Sequence, residues 1–285
     1  MDLTSPSTQT FVPTRNYSFD ALAEVYNQGR VDYIVPMPMN GKRMAEYVHD
    51  YDIDLDASMV AISADQLELG LIMLGVRDDR SWITRLGIIP ERRGHKVGQR
   101  LAELMIGASR AMKIRRMQLE VIQGNEPAHR LFSKLDFVET RELMIIRRPP
   151  SKVDAALAPQ AAEITDMKPS EVSEYIAKRS PDAAWTEEPR SLLHVQGLQG
   201  LFCTLPSGET GWAIYQRMPF QLTHFVINPD ASEDMTAALL RTIHSRNPMH
   251  DTKIENVPRG YAGWPVFQKF GYLEVFSRIE MYLYL

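Results

Sequence analysis

Two glycines and three basic residues lie close together in this chain: Arg93, Gly94, Lys96, Gly98 and Arg100. Glycine lets the backbone approach a ligand and turn its N–H groups toward one point. A helix that begins here adds unpaired N–H donors and the positive end of its dipole. The stretch therefore predicts a site for a phosphate or pyrophosphate group. A solvated helix cap has a similar composition, and the spacing matches neither a P-loop nor a dinucleotide-binding fingerprint.

The segments around this loop alternate between strand and helix. Residues 81–89 are rich in apolar and β-branched side chains and end at Pro90, which is typical of a buried strand. Residues 101–112 repeat apolar side chains at helical spacing, and residues 117–122 alternate as a strand does. Pro127 opens a short helix over residues 128–135, and residues 137–146 form a last strand.

These motifs resemble the GCN5-related N-acetyltransferase (GNAT) family. The acetyl-CoA loop of that family, V-x-P-x-x-R-G-x-G-x-G/A, stands here as Ile88-x-Pro90-x-x-Arg93-Gly94-x-Lys96-x-Gly98. A later family motif stands here as Leu119-x-Val121-x-x-x-Asn125-x-x-Ala128-x-x-Leu131-Phe132-x-Lys134-x-Asp136-Phe137. The two motifs occur in the family's order and separation, and the resemblance covers most of residues 9–147.

The resemblance implies an α/β (α+β) fold with two GNAT-like domains, each a mixed, mostly antiparallel twisted sheet flanked by helices. It also implies acetyl-CoA as the cofactor. The residues expected to bind it are Ile88, Ile89, Arg93, Gly94, His95, Lys96, Val97, Gly98, Gln99, Arg100, Asn125 and Phe132.

The chain departs from the family at three positions. Lys96 replaces the middle glycine of the loop. Phe132 replaces the tyrosine that many members use as general acid, and its ring cannot donate a proton. Thr84 falls where a strand carboxylate often acts as general base, and its hydroxyl could instead hold a water. The catalytic candidates are therefore Thr84, Asn125 and the terminal carboxylate of Leu285, if the tail folds back. Asn125 has two equally supported interpretations. It forms an Asx turn before Pro127, or its side chain contacts the departing CoA.

The C-terminal half repeats the pattern without the loop. Residues 266–272 line up with residues 131–137, but an acidic run from Asp230 to Asp234 replaces the basic turn. Acidic residues suit a helix start and repel a pyrophosphate. We therefore expect a degenerate copy that keeps the fold and has lost cofactor binding. The expected boundaries are a disordered lead-in at 1–10, a GNAT domain at 11–148, a linker at 149–160 and the degenerate domain at 161–285.

The acceptor site is harder to predict. Residues 31–39 are apolar, rich in methionine and broken by prolines. They form either a lid over an apolar acceptor, with Tyr33, Met37 and Met39 as substrate contacts, or a loop packed on the second domain. The leading interpretation is transfer of an acetyl group to a small-molecule or peptide amine. The alternatives are a catalytically inactive acyl-CoA-binding or regulatory module, and a scaffold that binds no cofactor.

Composition narrows the class of protein. The chain has 285 residues, a net charge of −4 and one cysteine, Cys203, which is expected in the core. The charge disfavours nucleic-acid partners, and no apolar run reaches the length of a membrane span. The histidines lack metal-ligand spacing, so we expect no metal. One cysteine and no signal-peptide pattern favour a cytoplasmic location, and the assembly state is left open between a monomer and a homodimer.

Overall fold

The computed structural model describes residues 9–93, 95–157, 159, 161, 163–179 and 182–285. The chain divides into two compact units. Unit 1 consists of Met1–Thr140 and Glu280–Leu285, and unit 2 consists of Arg141–Ile279. Each unit is a mixed, mostly antiparallel sheet with helices, as the sequence predicted.

The described part of unit 1 contains five complete strands and four α-helices. In chain order they are β1 Thr10–Pro13, α1 Phe19–Gln28, α2 Gly41–Asp50, β2 Met59–Ile62, β3 Glu68–Arg77, β4 Arg80–Ile88, α3 Val97–Ala111, β5 Arg116–Ile122 and α4 Glu126–Lys134. The strands lie side by side in this order. The neighbours are antiparallel except for β4 and β5, which are parallel because α3 connects them as a crossover.

Polar side chains fix where the helices of unit 1 begin. The side chain of Ser18 accepts the Ala21 N–H ahead of α1, and that of Asn40 accepts the Arg43 N–H ahead of α2. Asn125 does the same for α4, where Pro127 lies in the first turn as expected. Each cap satisfies a donor that the helix itself leaves unpaired.

Unit 2 repeats this element order. After β6 Val138–Arg148 come β7 Glu163–Asp166, α5 Pro169–Ile176, α6 Pro189–His194, β8 Leu198–Thr204, β9 Thr210–Arg217, β10 Gln221–Ile227, α7 Glu233–Arg246, β11 Asp251–Pro258, α8 Trp264–Lys269 and β12 Leu273–Tyr284. The first residues of β6 and the last residues of β12 are assigned to unit 1. Again the helix-connected pair, β10 and β11, is parallel, whereas β6 and β11, β9 and β10, β8 and β9, and β7 and β8 are antiparallel.

The strands that precede the two crossover helices, β4 in unit 1 and β10 in unit 2, are also similar in backbone conformation. Arg85 in β4 and His224 in β10 are both left-handed, with φ of 56° and 49°. Each lies at a shift in register against the preceding strand, which marks a β-bulge. Each also stands five residues before a proline that follows its strand, Pro90 after β4 and Pro229 after β10. The repeat thus extends to backbone detail.

The division between the units differs from the expected boundaries. The expected first domain ended after Arg148, but residues 141–148 of β6 belong to unit 2, where they pair with β11. Residues 280–285, expected in the second domain, belong to unit 1. The alternation of apolar residues in a strand does not specify which sheet it joins. The lead-in residues 1–8 and the linker residues 158 and 160 lie outside the described residues, and Thr10 already belongs to β1.

Cys203 is buried in the core of unit 2, as the sequence predicted. Burial raises the pKa of its thiol. The side chain therefore acts as a small apolar group that packs with the other buried residues of β8, β9 and α7.

Candidate functional site

An opening between β4 and β5 is the centre of the candidate site. The parallel pairing of these strands ends at Trp82 and Gln118. Among the described residues, the later residues of β4 and β5 do not pair with each other, and we call the space beside this edge of β4 the opening. Backbone N–H and C=O groups along such an edge are available to pair with an extended ligand.

The bulge in β4 shapes the side of this opening nearest α2. Arg85 is left-handed there, and its guanidinium carbon lies 4.1 Å from the ring centroid of Tyr47. The Tyr47 hydroxyl is 2.6 Å from the hydroxyl of Thr84, and burial raises the pKa of Tyr47 to about 12. The Thr84 hydroxyl is therefore engaged by a neutral tyrosine. Its predicted role as a holder of water stays a prediction.

The start of α3 forms the other end of the site. Lys96 is the N-cap residue, with a left-handed φ of 57°, and its side chain makes no capping hydrogen bond. A Cβ on Gly98 would lie 3.5 Å from Ile88, which is ordinary contact, so packing in the protein does not itself require glycine. Exposed side chains at residues 95, 96 and 100 surround this helix start. A helix start of this kind carries unpaired N–H donors and the positive end of the helix dipole, and the predicted phosphate site here stays a prediction.

Arg93 has a different set of partners from the one predicted. Its guanidinium forms a two-pronged ion pair with Asp32, with nitrogen–oxygen distances of 2.6 and 2.7 Å. Its Nε also donates to the carbonyl of Ile88. The hydrogen bond to Asp32 raises the pKa of Arg93 and lowers that of Asp32. A phosphate contact by Arg93 would require it to exchange Asp32 for the ligand.

Several predicted cofactor residues make contacts inside the protein. The Ile89 N–H donates to the carbonyl of Leu69, and the carbonyl of His95 accepts from Gln9. The amide of Gln99 donates to Glu103. Val97 is buried in the first turn of α3, and Gly94 lies outside the described residues.

Phe132 and Asn125 lie on and before α4. Phe132 is buried, and its ring packs edge-on against Phe137 at 5.5 Å. It fills the core and offers no proton. Asn125 caps α4 through Oδ1 and donates through Nδ2 to the Tyr33 hydroxyl, 3.1 Å away. Asn125 therefore acts as a helix cap, bonding the backbone three residues on, and the same side chain also holds Tyr33. Its predicted contact with CoA stays a prediction.

Glu120 is a candidate that sequence reasoning missed. It lies on β5 beyond the last pair with β4, and its carboxylate accepts a hydrogen bond of 2.7 Å from the indole nitrogen of Trp82. The signal was present, because Glu120 is a charged residue in the middle of an otherwise largely apolar strand. Since side chains alternate along a strand, Glu120 lies on the opposite face from Leu119 and Val121.

The prediction for Leu285 was wrong. The Leu285 N–H donates to the carbonyl of Arg115, just ahead of β5 and at the end where β4 and β5 are paired. Glu120 lies five residues further along β5, about 16 Å away at the rise of a strand. The terminal carboxylate therefore does not reach the opening, because β12 ends at the closed end of the parallel pair.

The predicted acceptor residues lie in residues 31–39, which contain no helix or strand among the described residues. Both backbone groups of Met39 bind the side chain of Asn27. Tyr33 and Met37 are half-buried, and the Tyr33 ring lies 3.4 Å from the guanidinium carbon of Arg30. Asn27 and Arg93 thus hold the two ends of this segment.

Unit 2 has no equivalent anion site at the start of α7. Ser232 caps the helix, and its hydroxyl also donates to the Glu209 carboxylate at 2.8 Å. The Ser232 N–H donates to the same carboxylate at 3.3 Å. The protein's own carboxylate therefore lies where a pyrophosphate would have to bind.

The described residues lack two further features. They contain no helix with the length and apolar character needed to cross a membrane. They also contain no cluster of three or more histidine, cysteine or acidic side chains arranged to hold a metal ion.

The chain was compared with known proteins. Residues 27–137 match the acetyltransferase (GNAT) family model. A tandem GNAT protein from the clavulanic acid biosynthesis pathway is 12% identical, with a TM-score of 0.71, over 97% of this chain and 98% of its own. A GCN5-related N-acetyltransferase from Sphaerobacter thermophilus is 13% identical, with a TM-score of 0.68, over 99% and 97%.

A fungal glucosamine N-acetyltransferase region, part of a multi-domain β-N-acetylglucosaminidase, is 13% identical with a TM-score of 0.74. It covers 99% of this chain and 39% of the fungal chain. No curated protein matches the sequence. At these identities the solved structures establish the fold alone, which both units share. Residues 27–137, which hold the opening between β4 and β5 and the start of α3, are similar to the GNAT acetyltransferase family.

Proposed function

We propose that this protein is an N-acyltransferase that moves an acetyl group from acetyl-CoA to an amine. The observation that carries the proposal is the opening beyond Trp82 and Gln118, which has a free helix start at one end and the Glu120 carboxylate on its wall. This arrangement offers an anion site, an open strand edge and a proton acceptor within one unit.

The residues present fit CoA. The first N–H groups of α3 and the exposed Lys96 and Arg100 suit a pyrophosphate. The open edge of β4 suits an extended, amide-containing arm, because such an arm can pair with a strand as another strand does. Ile89 does not take part in this pairing, because its N–H is already bound to Leu69.

The chemistry of the reaction assigns roles to the protein's own groups. Acetyl-CoA supplies the acyl group as a thioester. The acceptor amine must be neutral to attack, and Glu120 is placed to take its proton, directly or through one water. Backbone N–H groups on the open edge of β4 stabilise negative charge that develops on the carbonyl oxygen. Holding both reactants in one opening supplies a further part of the rate.

The acid that protonates the leaving thiolate is water in this proposal, since Phe132 is buried and has no proton to give. The same observation favours a second candidate function, a module that binds acyl-CoA without turnover. The two candidates make the same prediction for CoA binding and opposite predictions for catalysis.

The test combines both measurements. Purified protein is mixed with acetyl-CoA and a panel of amines, and free CoA thiol is followed with time. CoA binding is measured separately by calorimetry. Release of thiol that depends on the amine supports the acyltransferase, and CoA binding without any such release supports the binding module. If CoA does not bind, both candidates are wrong.

A further inference from the structure

Arg30 lies directly beside the opening in unit 1. It follows α1, whose end packs closely on β4: a Cβ on Gly29 would lie 3.1 Å from the carbonyl carbon of Gly87. A Cβ on Gly87 would in turn lie 3.7 Å from Cγ of Arg30. The Arg30 side chain therefore covers the end of β4 that borders the opening.

Tyrosine rings hold the Arg30 guanidinium in a fixed orientation. Its central carbon lies 3.4 Å from the ring centroid of Tyr33 and 5.2 Å from that of Tyr26. The side-chain amide of Asn125 holds Tyr33 in turn by donating to the Tyr33 hydroxyl. Stacking of this kind stabilises a cation through the ring faces and leaves the edge of the guanidinium for hydrogen bonds.

The edge of the guanidinium is formed by Nε and Nη2, and neither nitrogen makes a hydrogen bond to the described residues. Among the described residues, Nε and Nη2 of Arg30 are shielded from solvent and have no hydrogen-bond partner. Buried donors without acceptors cost free energy, and burial accordingly lowers the pKa of this guanidinium. Nε and Nη2 present two parallel N–H groups, which match the two oxygens of a carboxylate.

The surrounding charges favour an anion at this edge. Arg85 lies close enough to Arg30 to disfavour the second positive charge. Asp32, the carboxylate nearest in sequence, is bound to Arg93 instead. A ligand carboxylate would thus relieve repulsion between two cations as well as satisfy two donors.

We propose that the acceptor is an amine that also carries a carboxylate, which pairs with Nε and Nη2 of Arg30 while the amine faces Glu120. This inference rests on the proposed function. Because both nitrogens are shielded, residues 34–39 must shift for the carboxylate to enter, while Tyr33 stays bound to Asn125 and stacked on the guanidinium.

The test uses matched acceptors with and without the carboxylate: β-alanine against propylamine, 4-aminobutyrate against butylamine, and α-amino acids against their amides. For the best pair, kcat/KM of the wild-type protein should favour the carboxylate by about 10- to 100-fold, the range for hydrogen bonds to a charged group. Arg30→Gln should abolish this preference. Arg30→Lys, which keeps the charge without the two-pronged edge, should keep part of it.

Arg43→Gln is the matched control, because Arg43 is an exposed arginine on α2, and it should keep the full preference. Thermal unfolding of each variant checks that it folds. If Arg30→Gln fails to fold, Arg30→Lys alone carries the comparison. Equal kcat/KM for every matched pair in the wild-type protein would overturn the inference and leave the proposed function intact.

Binding of the same compounds to the protein with CoA, measured by calorimetry, separates the two ideas when no amine is acetylated. Tighter binding of the carboxylates that Arg30→Gln removes would support the anion site while the proposed function fails. Equal binding of both members of each pair would overturn the site. Loss of CoA affinity in Arg30→Gln, with the acceptor preference kept, would assign the anion to CoA and also overturn it.

Discussion

The indole nitrogen of Trp82 and the carboxylate of Glu120 are joined by a hydrogen bond of 2.7 Å. The bond connects β4 and β5 at the point where their backbone pairing ends. Trp82 belongs to the last pair, and Glu120 lies two residues beyond its partner Gln118. Trp82 also packs against Tyr47 of α2 and against Tyr51, the residue after α2, at 6.1 and 6.0 Å between ring centroids. A rigid aromatic group thus holds the carboxylate at the wall of the opening.

The first prediction concerns Glu120 as the proton acceptor. Glu120→Gln should lower kcat by about 100- to 10,000-fold, the range for loss of a general base. The affinity for CoA should stay the same, because Glu120 is not part of the helix start. The measurements are release of CoA thiol under saturating acceptor and calorimetric titration with CoA.

The matched variants for this test are Glu46→Gln and Trp82→Phe. Glu46 is an exposed glutamate on α2, and its substitution should leave kcat unchanged. Trp82→Phe keeps the carboxylate but removes its donor, so it should lower kcat by less than Glu120→Gln does. Unchanged kcat in Glu120→Gln would show that another group takes the proton.

The second prediction concerns Lys96, the left-handed residue before α3. Glycine adopts this conformation without the steric cost of a side chain, so Lys96→Gly should stabilise the fold by about 1 kcal/mol. Losing the charge should weaken CoA binding by about two- to fivefold at low salt, the range for an exposed ion pair. Denaturant unfolding and calorimetry measure the two effects independently.

Lys113 provides the control, because it is also left-handed and exposed, with φ of 59°, but follows the other end of α3. Lys113→Gly should give a similar gain in stability and no change in CoA affinity. If Lys96→Gly gains stability and binds CoA as tightly as before, Lys96 does not contact the ligand.

The fold and the anion loop were predictable because they depend on local patterns. Apolar periodicity, Pro127 and the Asn125 cap set the elements, and the two motifs set their order. The ends of β6 and β12 were not predictable, because alternation in a strand does not reveal its neighbour. The Arg93–Asp32 pair and the Trp82–Glu120 bond were missed because each joins residues far apart in sequence, and only the folded sheet brings them together.

The third prediction concerns the number of CoA sites. Calorimetric titration should give one CoA per chain, because the carboxylate of Glu209 lies at the start of α7 in unit 2. Lys96→Glu should weaken this single site, since it places a negative charge at the start of α3. Glu209→Gln leaves unit 1 unchanged and should keep its affinity, and the stoichiometry should stay at one because the acidic run from Asp230 to Asp234 remains at the start of α7. Two sites in the wild-type protein would show that unit 2 also binds CoA.

The fourth prediction concerns His244, which is fully buried in α7 and lies 2.9 Å from the Tyr272 hydroxyl. Burial, with a smaller contribution from Arg148, lowers the pKa of His244 from 6.5 to about 3. The unfolded chain therefore takes up a proton as the pH falls below 6.5, while the folded protein does not. The stability that His244 contributes is complete above pH 6.5 and is lost progressively as the pH falls toward 3.

His244→Gln removes this proton uptake and keeps a side chain that can bind the Tyr272 hydroxyl. From pH 7 to pH 5, the wild-type protein should therefore lose about 2 kcal/mol more stability than the variant does. Urea unfolding at the two pH values measures the difference. A stability gap between the two proteins that is the same at pH 7 and pH 5 would mean that His244 takes up its proton equally well in the folded core. In that case the stacked ring of Phe225 and the neighbouring Arg148 would not keep it neutral.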